Sequence, residues 1–189
     1  IYRGLVGSEM CIRDRCYFYP NEKQKVSQLN NTLIKYLSLE KLISKLPKWK
    51  KKGSVVFTNG CFDILHPGHL YYLEKASKLG HMLIIGLNTD ESIKRLKGIG
   101  RPINNEQTRI KMLANLAIVD AIVLFEEDTP YELIKHIIPD VLVKGSDYRV
   151  EEIVGHDIVV KNGGCVKTID LLEGYSTTSI IEKIQNGED

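Results

Sequence analysis

Short, wholly apolar runs alternate with helical patterns along this chain, and that alternation restricts the fold more than any other feature. Val55-Val56-Phe57, Met82–Leu87, Ala121–Leu124 and Val141–Val143 are too short for helices and carry no polar face, so they read as buried strands. Between them, Pro67–Leu79, Glu91–Leu96, Glu106–Leu116 and Pro130–Ile137 read as helices. Asp157–Val160 and Cys165–Ile169 are candidate short strands, and Ser179–Gln185 closes the chain as a helix. A strand without a polar face must be covered on both sides. The pattern therefore predicts an α/β protein with a Rossmann-like, doubly wound parallel sheet of about five strands and helices on both faces.

A chain of 189 residues supports one good core and little more. Its 43% hydrophobic and 26% charged residues describe an ordinary soluble protein, and a net charge of +2 gives no reason to expect nucleic acid as a partner. No apolar run approaches the length that spans a bilayer, so no membrane association is expected. Cys11, Cys16, Cys61 and Cys165 fall in no metal-ligand spacing and suit reduced thiols in a cytoplasmic protein.

Three segments are expected. The chain opens without Met, and residues 1–15 show no helical or strand period and lack the apolar core of a signal peptide; they resemble translated sequencing-adapter read-through and are expected to be foreign to the gene. Residues 16–52 form a lead-in: Asn21–Thr32 is loose, and Ser38 caps a short helix with Leu39, Leu42, Ile43 and Leu46 on one face and Pro47 just past its end. The cluster of Lys48, Lys50, Lys51 and Lys52 suits a solvated helix end better than a phosphate site. Residues 53–187 form the main domain.

Ligands of open parallel sheets bind beyond the carboxyl ends of the strands, and polar residues cluster there four times. Asn59, Gly60, Cys61, Phe62, Asp63, His66 and His69 follow the first strand; Asn88, Thr89 and Asp90 follow the second. Lys144, Gly145, Ser146 and Asp147 follow Val143, and Gly174 to Ser179 follow the last strand. Pro67 suits the first position of a helix, Gly68 permits close approach to the backbone, and histidines at i and i+3 project to one side of the first turn. Free N–H groups and a positive dipole end make such a helix start an anion site. Ser176, Thr177 and Thr178 suit a second phosphate-binding turn. Other readings stand beside these: zinc ligation by the histidines with Cys61 or Asp63, plain helix capping by Asp63, by Asn88-Thr89-Asp90 or by Ser176, Thr177 and Thr178, and surface charge for Lys94, Lys97, Arg101 and Arg109. Neither the G-x-x-x-x-G-K-[ST] phosphate loop nor the G-x-G-x-x-G fingerprint is present. A triphosphate would thus rest on histidines, lysines and helix starts.

Asn59-Gly60-Cys61-Phe62-Asp63 with His66-Pro67-Gly68-His69 and Ser176-Thr177-Thr178 resembles the nucleotidylyltransferases of the H-x-G-H type. The ordered series continues through Gly86–Glu91, Arg95–Gly98, Gly100–Ile103, Glu126–Pro130, Pro139–Tyr148 and Gly174–Thr178, and is similar to the heptose 1-phosphate adenylyltransferases. The resemblance implies a nucleotidylyltransferase-type fold, transfer of AMP from ATP to D-glycero-β-D-manno-heptose 1-phosphate, and Mg2+ accompanying the ATP. It implies that His66 and His69 act on the phosphates, with Lys97, Arg109 and Lys144 as further catalytic cations. Asn59 to Asp63, Gly174 and Ser176 to Thr178 would bind nucleotide; Asp90, Arg101 and Asp147 would bind the sugar phosphate. No metal ligand is assigned to a side chain. The resemblance further implies a stand-alone transferase or a truncated gene, and a homodimer or higher homo-oligomer is possible. A cytidylyltransferase for glycerol 3-phosphate, or a catalytically silent nucleotide-binding module, are the alternatives.

Overall fold

The computed structural model describes residues 34–147 and 149–187. Five parallel strands form one sheet: β1 (Val55–Gly60), β2 (Met82–Asn88), β3 (Ala121–Phe125), β4 (Val141–Gly145) and β5 (Cys165–Ile169), side by side in the order β3-β2-β1-β4-β5. Among the described residues the α-helices are α1 (Leu39–Lys50), α2 (Pro67–Ser77), α3 (Asp90–Lys97), α4 (Glu106–Ala114), α5 (Tyr131–Ile137), α6 (His156–Lys161) and α7 (Thr177–Asn186).

Alternation of side chains along each strand divides the core in two. Val55, Phe57, Ile84 and Leu142 pack with Leu42 and Leu46 of α1 and Leu133, Ile134 and Ile137 of α5. Val56, Leu83, Ile85 and Val143 pack on the other face with Leu73 and Ala76 of α2 and Ile110 and Leu113 of α4. The continuous apolar runs are thus explained: both faces of the central strands are covered.

The strand order reverses direction at β1, whose neighbours are β2 on one side and β4 on the other. β1 pairs with β2 along all of Val55–Gly60 but with β4 only at Val56 and Phe57. Beyond Phe57 the carboxyl ends of β1 and β4 therefore part, and a crevice opens at the topological switch point.

Two expectations need correction. Asp157–Val160 is not a strand but most of α6. Its β-branched residues suit either state, and connectivity decides: β4 and β5 are parallel, so the chain between them must cross back over a sheet face. Pro47 does not stand beyond the first helix but inside it, since α1 runs on to Lys50. Proline costs that turn one hydrogen bond. The partly buried Trp49 packs against the core, and its carbonyl accepts from the N–H groups of Lys52 and Gly53 at 2.9 and 3.2 Å. Ahead of α1, the Lys35–Leu37 backbone docks on β3 through a parallel bridge between Tyr36 and Ile122. The expectations for residues 1–15 and Asn21–Thr32 lie outside the described residues.

Candidate active site

The crevice between the ends of β1 and β4 is a cleft of about 310 Å3. One wall is the turn from β1 into α2, with Asn59, Gly60, Cys61, Phe62, His66 and His69 all lining the space. His66 is the N-cap of α2 and Pro67 its first residue; the side chain of His66 makes no capping bond and is left for the cleft. The two imidazoles stack, with centroids 3.8 Å apart and planes 29° from parallel. Phe62 tilts against His69 at 5.3 Å, and Tyr175 lies nearly parallel to His66 at 6.5 Å. A Cβ on Gly68 would come within 3.0 Å of the His66 ring and 3.2 Å of Tyr175 Cβ. The close approach that requires glycine here is thus made by these two side chains.

The Nδ1 atoms of His66 and His69 and Oδ1 of Asn59 are buried without a hydrogen-bond partner. Buried polar atoms are normally satisfied, so three unmet atoms in one wall point to a ligand that supplies their partners. Burial, then the neighbouring charges of His66 and Lys97, push the His69 imidazole down to about 4, against an opposing contribution from the Ile64 backbone. Burial also lowers His66. In the ligand-free protein both rings are therefore largely neutral at pH 7 and offer N–H groups rather than fixed positive charges.

The opposite wall comes from β4 and from the β5–α7 turn. Lys144 and Asp147 line the cleft. Burial lowers the Lys144 ammonium, while Asp147 and Cys61 favour its charged form. Ser176 caps α7, its hydroxyl accepting from Ser179 N–H at 2.9 Å, and both Ser176 and Thr177 face the cleft. Gly174 takes a left-handed turn at φ 80° just ahead of the cap, outside the cleft lining, as is Thr178. The sequence reading missed Tyr72, Leu171, Leu172 and Tyr175, which also line the space. Tyr72 had a signal, being three residues after His69 on the same helix; the two leucines had none beyond following the last strand.

Five further residues expected in the site lie outside the cleft lining. Asp63 is 2% exposed and caps nothing. Its carboxylate accepts from Arg101 Nε at 2.8 Å and from the backbone N–H groups of Ile103 and Asn104 at 2.9 and 2.8 Å. Burial alone would raise this carboxyl, but these donors together hold it below its ordinary value. Arg109 is fully buried. It donates to the carbonyls of Asn104, Cys61 and Asn88 and, at 2.7 Å, to Asp90 Oδ1. The expectation that Arg109 grips substrate oxygens is corrected accordingly: its donors are spent inside the protein, and Asp90 is its ion-pair partner. Arg101 is bound through Nε, but its Nη2 is buried with no partner. Lys97 is exposed at the end of α3, near enough for its charge to act on His69. Thr89 is a plain helix cap, accepting from Ser92 N–H.

Among the described residues no group of three or more His, Cys, Asp or Glu side chains is placed to hold a metal ion. The arrangement instead joins a neutral imidazole pair, a half-buried lysine and a capped helix start around one cleft, which suits an extended anion. The cytidylyltransferase-like pattern matches residues 57–183. The chain belongs to the cytidylyltransferase-like family. Among curated relatives, the bifunctional protein HldE of Aliarcobacter butzleri is 48% identical over 98% of this chain and 37% of its own length, an alignment that takes in most of residues 1–15. HldE of Nitratiruptor sp. is 55% identical over 97% of this chain and 38% of its own. This cytidylyltransferase-like chain thus spans a little over a third of these relatives. Among solved structures, a lipopolysaccharide core biosynthesis protein from Thermoplasma volcanium is 29% identical with a TM-score of 0.53, over 66% of this chain and 99% of that one. Among the described residues no helix is long and apolar enough to cross a membrane.

Proposed function

We propose that this protein transfers AMP from ATP to D-glycero-β-D-manno-heptose 1-phosphate, giving ADP-heptose and pyrophosphate. The observation that carries the reading is the stacked His66–His69 pair, which lines the crevice at the switch point and keeps both Nδ1 atoms without a protein partner. The ordered motifs favour the heptose, and the T. volcanium relative is described as a protein of lipopolysaccharide core biosynthesis.

In this reading an oxygen of the sugar phosphate forms a bond to the α-phosphorus of ATP, and the bond to the β-phosphate bridging oxygen breaks. The attacking phosphate is already anionic near pH 7, so no general base is needed. What remains is positioning and charge stabilisation. His66 and His69 donate to the α- and β-phosphate oxygens and take up protons as those charges approach. Lys144 supplies a cation opposite them, and Ser176 and Thr177 with the start of α7 hold the outer phosphates. Arg101, whose Nη2 lacks a protein partner, is assigned to the acceptor phosphate in this reading. Mg2+ commonly binds one or two carboxylates together with substrate phosphates and water. Asp63 and Asp90 are committed to arginines, which leaves Asp147 as the acidic side chain lining the cleft. That fits an ion carried in with ATP, where it would neutralise triphosphate charge.

A pyrophosphate-release screen tests the reading. ATP and CTP are each offered with D-glycero-β-D-manno-heptose 1-phosphate or glycerol 3-phosphate. Release with ATP and the heptose alone supports it, CTP with the polyol phosphate would replace it with a cytidylyltransferase, and nucleotide binding without release would leave a silent module.

A further inference from the structure

Phe62 has φ 45°, a left-handed backbone that a bulky aromatic residue rarely adopts. Its two neighbours are tied down by one closed set of bonds. On one side Cys61 carbonyl accepts from Arg109 Nη1 at 2.7 Å. On the other, Asp63 carbonyl accepts from Asn104 Nδ2 at 2.7 Å, while the Asp63 carboxylate accepts from the Asn104 N–H at 2.8 Å. Arg109 Nε closes the ring on Asn104 carbonyl at 3.1 Å. Asn104 and Arg109 do not line the cleft, yet the residue they enclose presents its ring to His69 at 5.3 Å.

Resting on the function proposed above, we infer that Asn104 and Arg109 are positioning residues, which hold Phe62 in its left-handed conformation so that its ring fixes His69 against His66. A residue at positive φ returns to an ordinary conformation when its supports are removed, and such a return would swing the Phe62 ring off the imidazole. A buried guanidinium with four protein acceptors suits this role, because its planar fork fixes directions that a lysine would not. The clamp also explains why the end of β1 can carry a strained residue beside the reacting centre: the strain is local and its supports come from α4 and the loop before it.

The test is an NMR titration of the His69 ring in the free, full-length protein, so its outcome does not depend on which nucleotide or sugar is used. Asn104→Ala removes one arm of the clamp and leaves His66 and Lys97, the charged groups acting on His69, unchanged. Phe62→Gly removes both the ring and the need for a clamp. In the native protein His69 should titrate near 4. In Asn104→Ala it should move toward the ordinary 6.5, as it should in Phe62→Gly, and adding Asn104→Ala to Phe62→Gly should cause no further change. A folded Asn104→Ala protein whose His69 titrates as in the native one would overturn the inference and leave the clamp with a structural role alone. Additive shifts in the double variant would overturn it too.

Discussion

The turn after β1 and the turn after β5 each deliver a helix start to the same cleft, but they are built on different terms. The first is buried: Asp63, His66 and Phe62 are 2%, 9% and 5% exposed, and an arginine from 48 residues away is bonded to its backbone. The second stands at the sheet edge, where α7 buries no residue and Leu171 and Tyr175 are about half exposed. Under the proposed function, the two walls would have different duties. A group that must meet a phosphorus under attack needs a fixed geometry, and misplacement by about 1 Å can cost on the order of 100-fold in rate. A wall that holds the outer phosphates and the nucleotide needs donors, and an exposed capped helix start provides them.

The comparison breaks most sharply at His69. His69→Ala is expected to lower kcat by about 100- to 1000-fold, the range seen when one donor to a developing charge is lost. The fold should survive, as shown by circular dichroism and the thermal midpoint; a comparable loss of folded protein would make the imidazole structural. A smaller effect follows from pH. The unfolded chain binds a proton at its ordinary 6.5, whereas folded His69 resists it down to about 4, so folding loses stability as pH falls through that interval and keeps it in full above. Thermal midpoints measured between pH 7 and 4.5 should fall less in His69→Ala than in the native protein, and parallel curves would contradict the assigned burial. Smallest is the effect at the exposed wall. Ser176→Ala removes a helix cap worth about 1 kcal/mol, and should raise KM for ATP while changing kcat little. A kcat loss as large as that of His69→Ala would erase the distinction between the walls.

Much of this was legible along the chain. The alternation of apolar strands and helical patterns gave a parallel sheet, and the Asn59–His69 stretch gave a helix start with Pro67 in its first turn and two imidazoles one turn apart. Ser176 was recognisable as a cap, which it is, and as a candidate anion donor, and it lines the cleft. What was not legible was which polar residues face the ligand. Arg101 and Arg109 look alike in sequence, yet one keeps an unpartnered nitrogen and the other has its donors committed inside the protein. Asp63 resembles a cap and is instead the anchor of a loop 38 to 41 residues away. The assignment of Asp157–Val160 to a strand failed for a similar reason: a six-residue helix is chosen by the need to cross from β4 to β5, which its own residues do not record.

The sequence by itself determined the layers of the fold, the place of the cleft at the strand ends and the local shape of the histidine turn, because these depend on periodicity and on neighbours a few residues apart. Only the tertiary structure decided the protonation of the histidines, the partners of Asp63 and Arg109, and the conformation of Phe62. Those depend on burial and on hydrogen bonds between segments remote in the chain, and both come into being when the sheet closes around them.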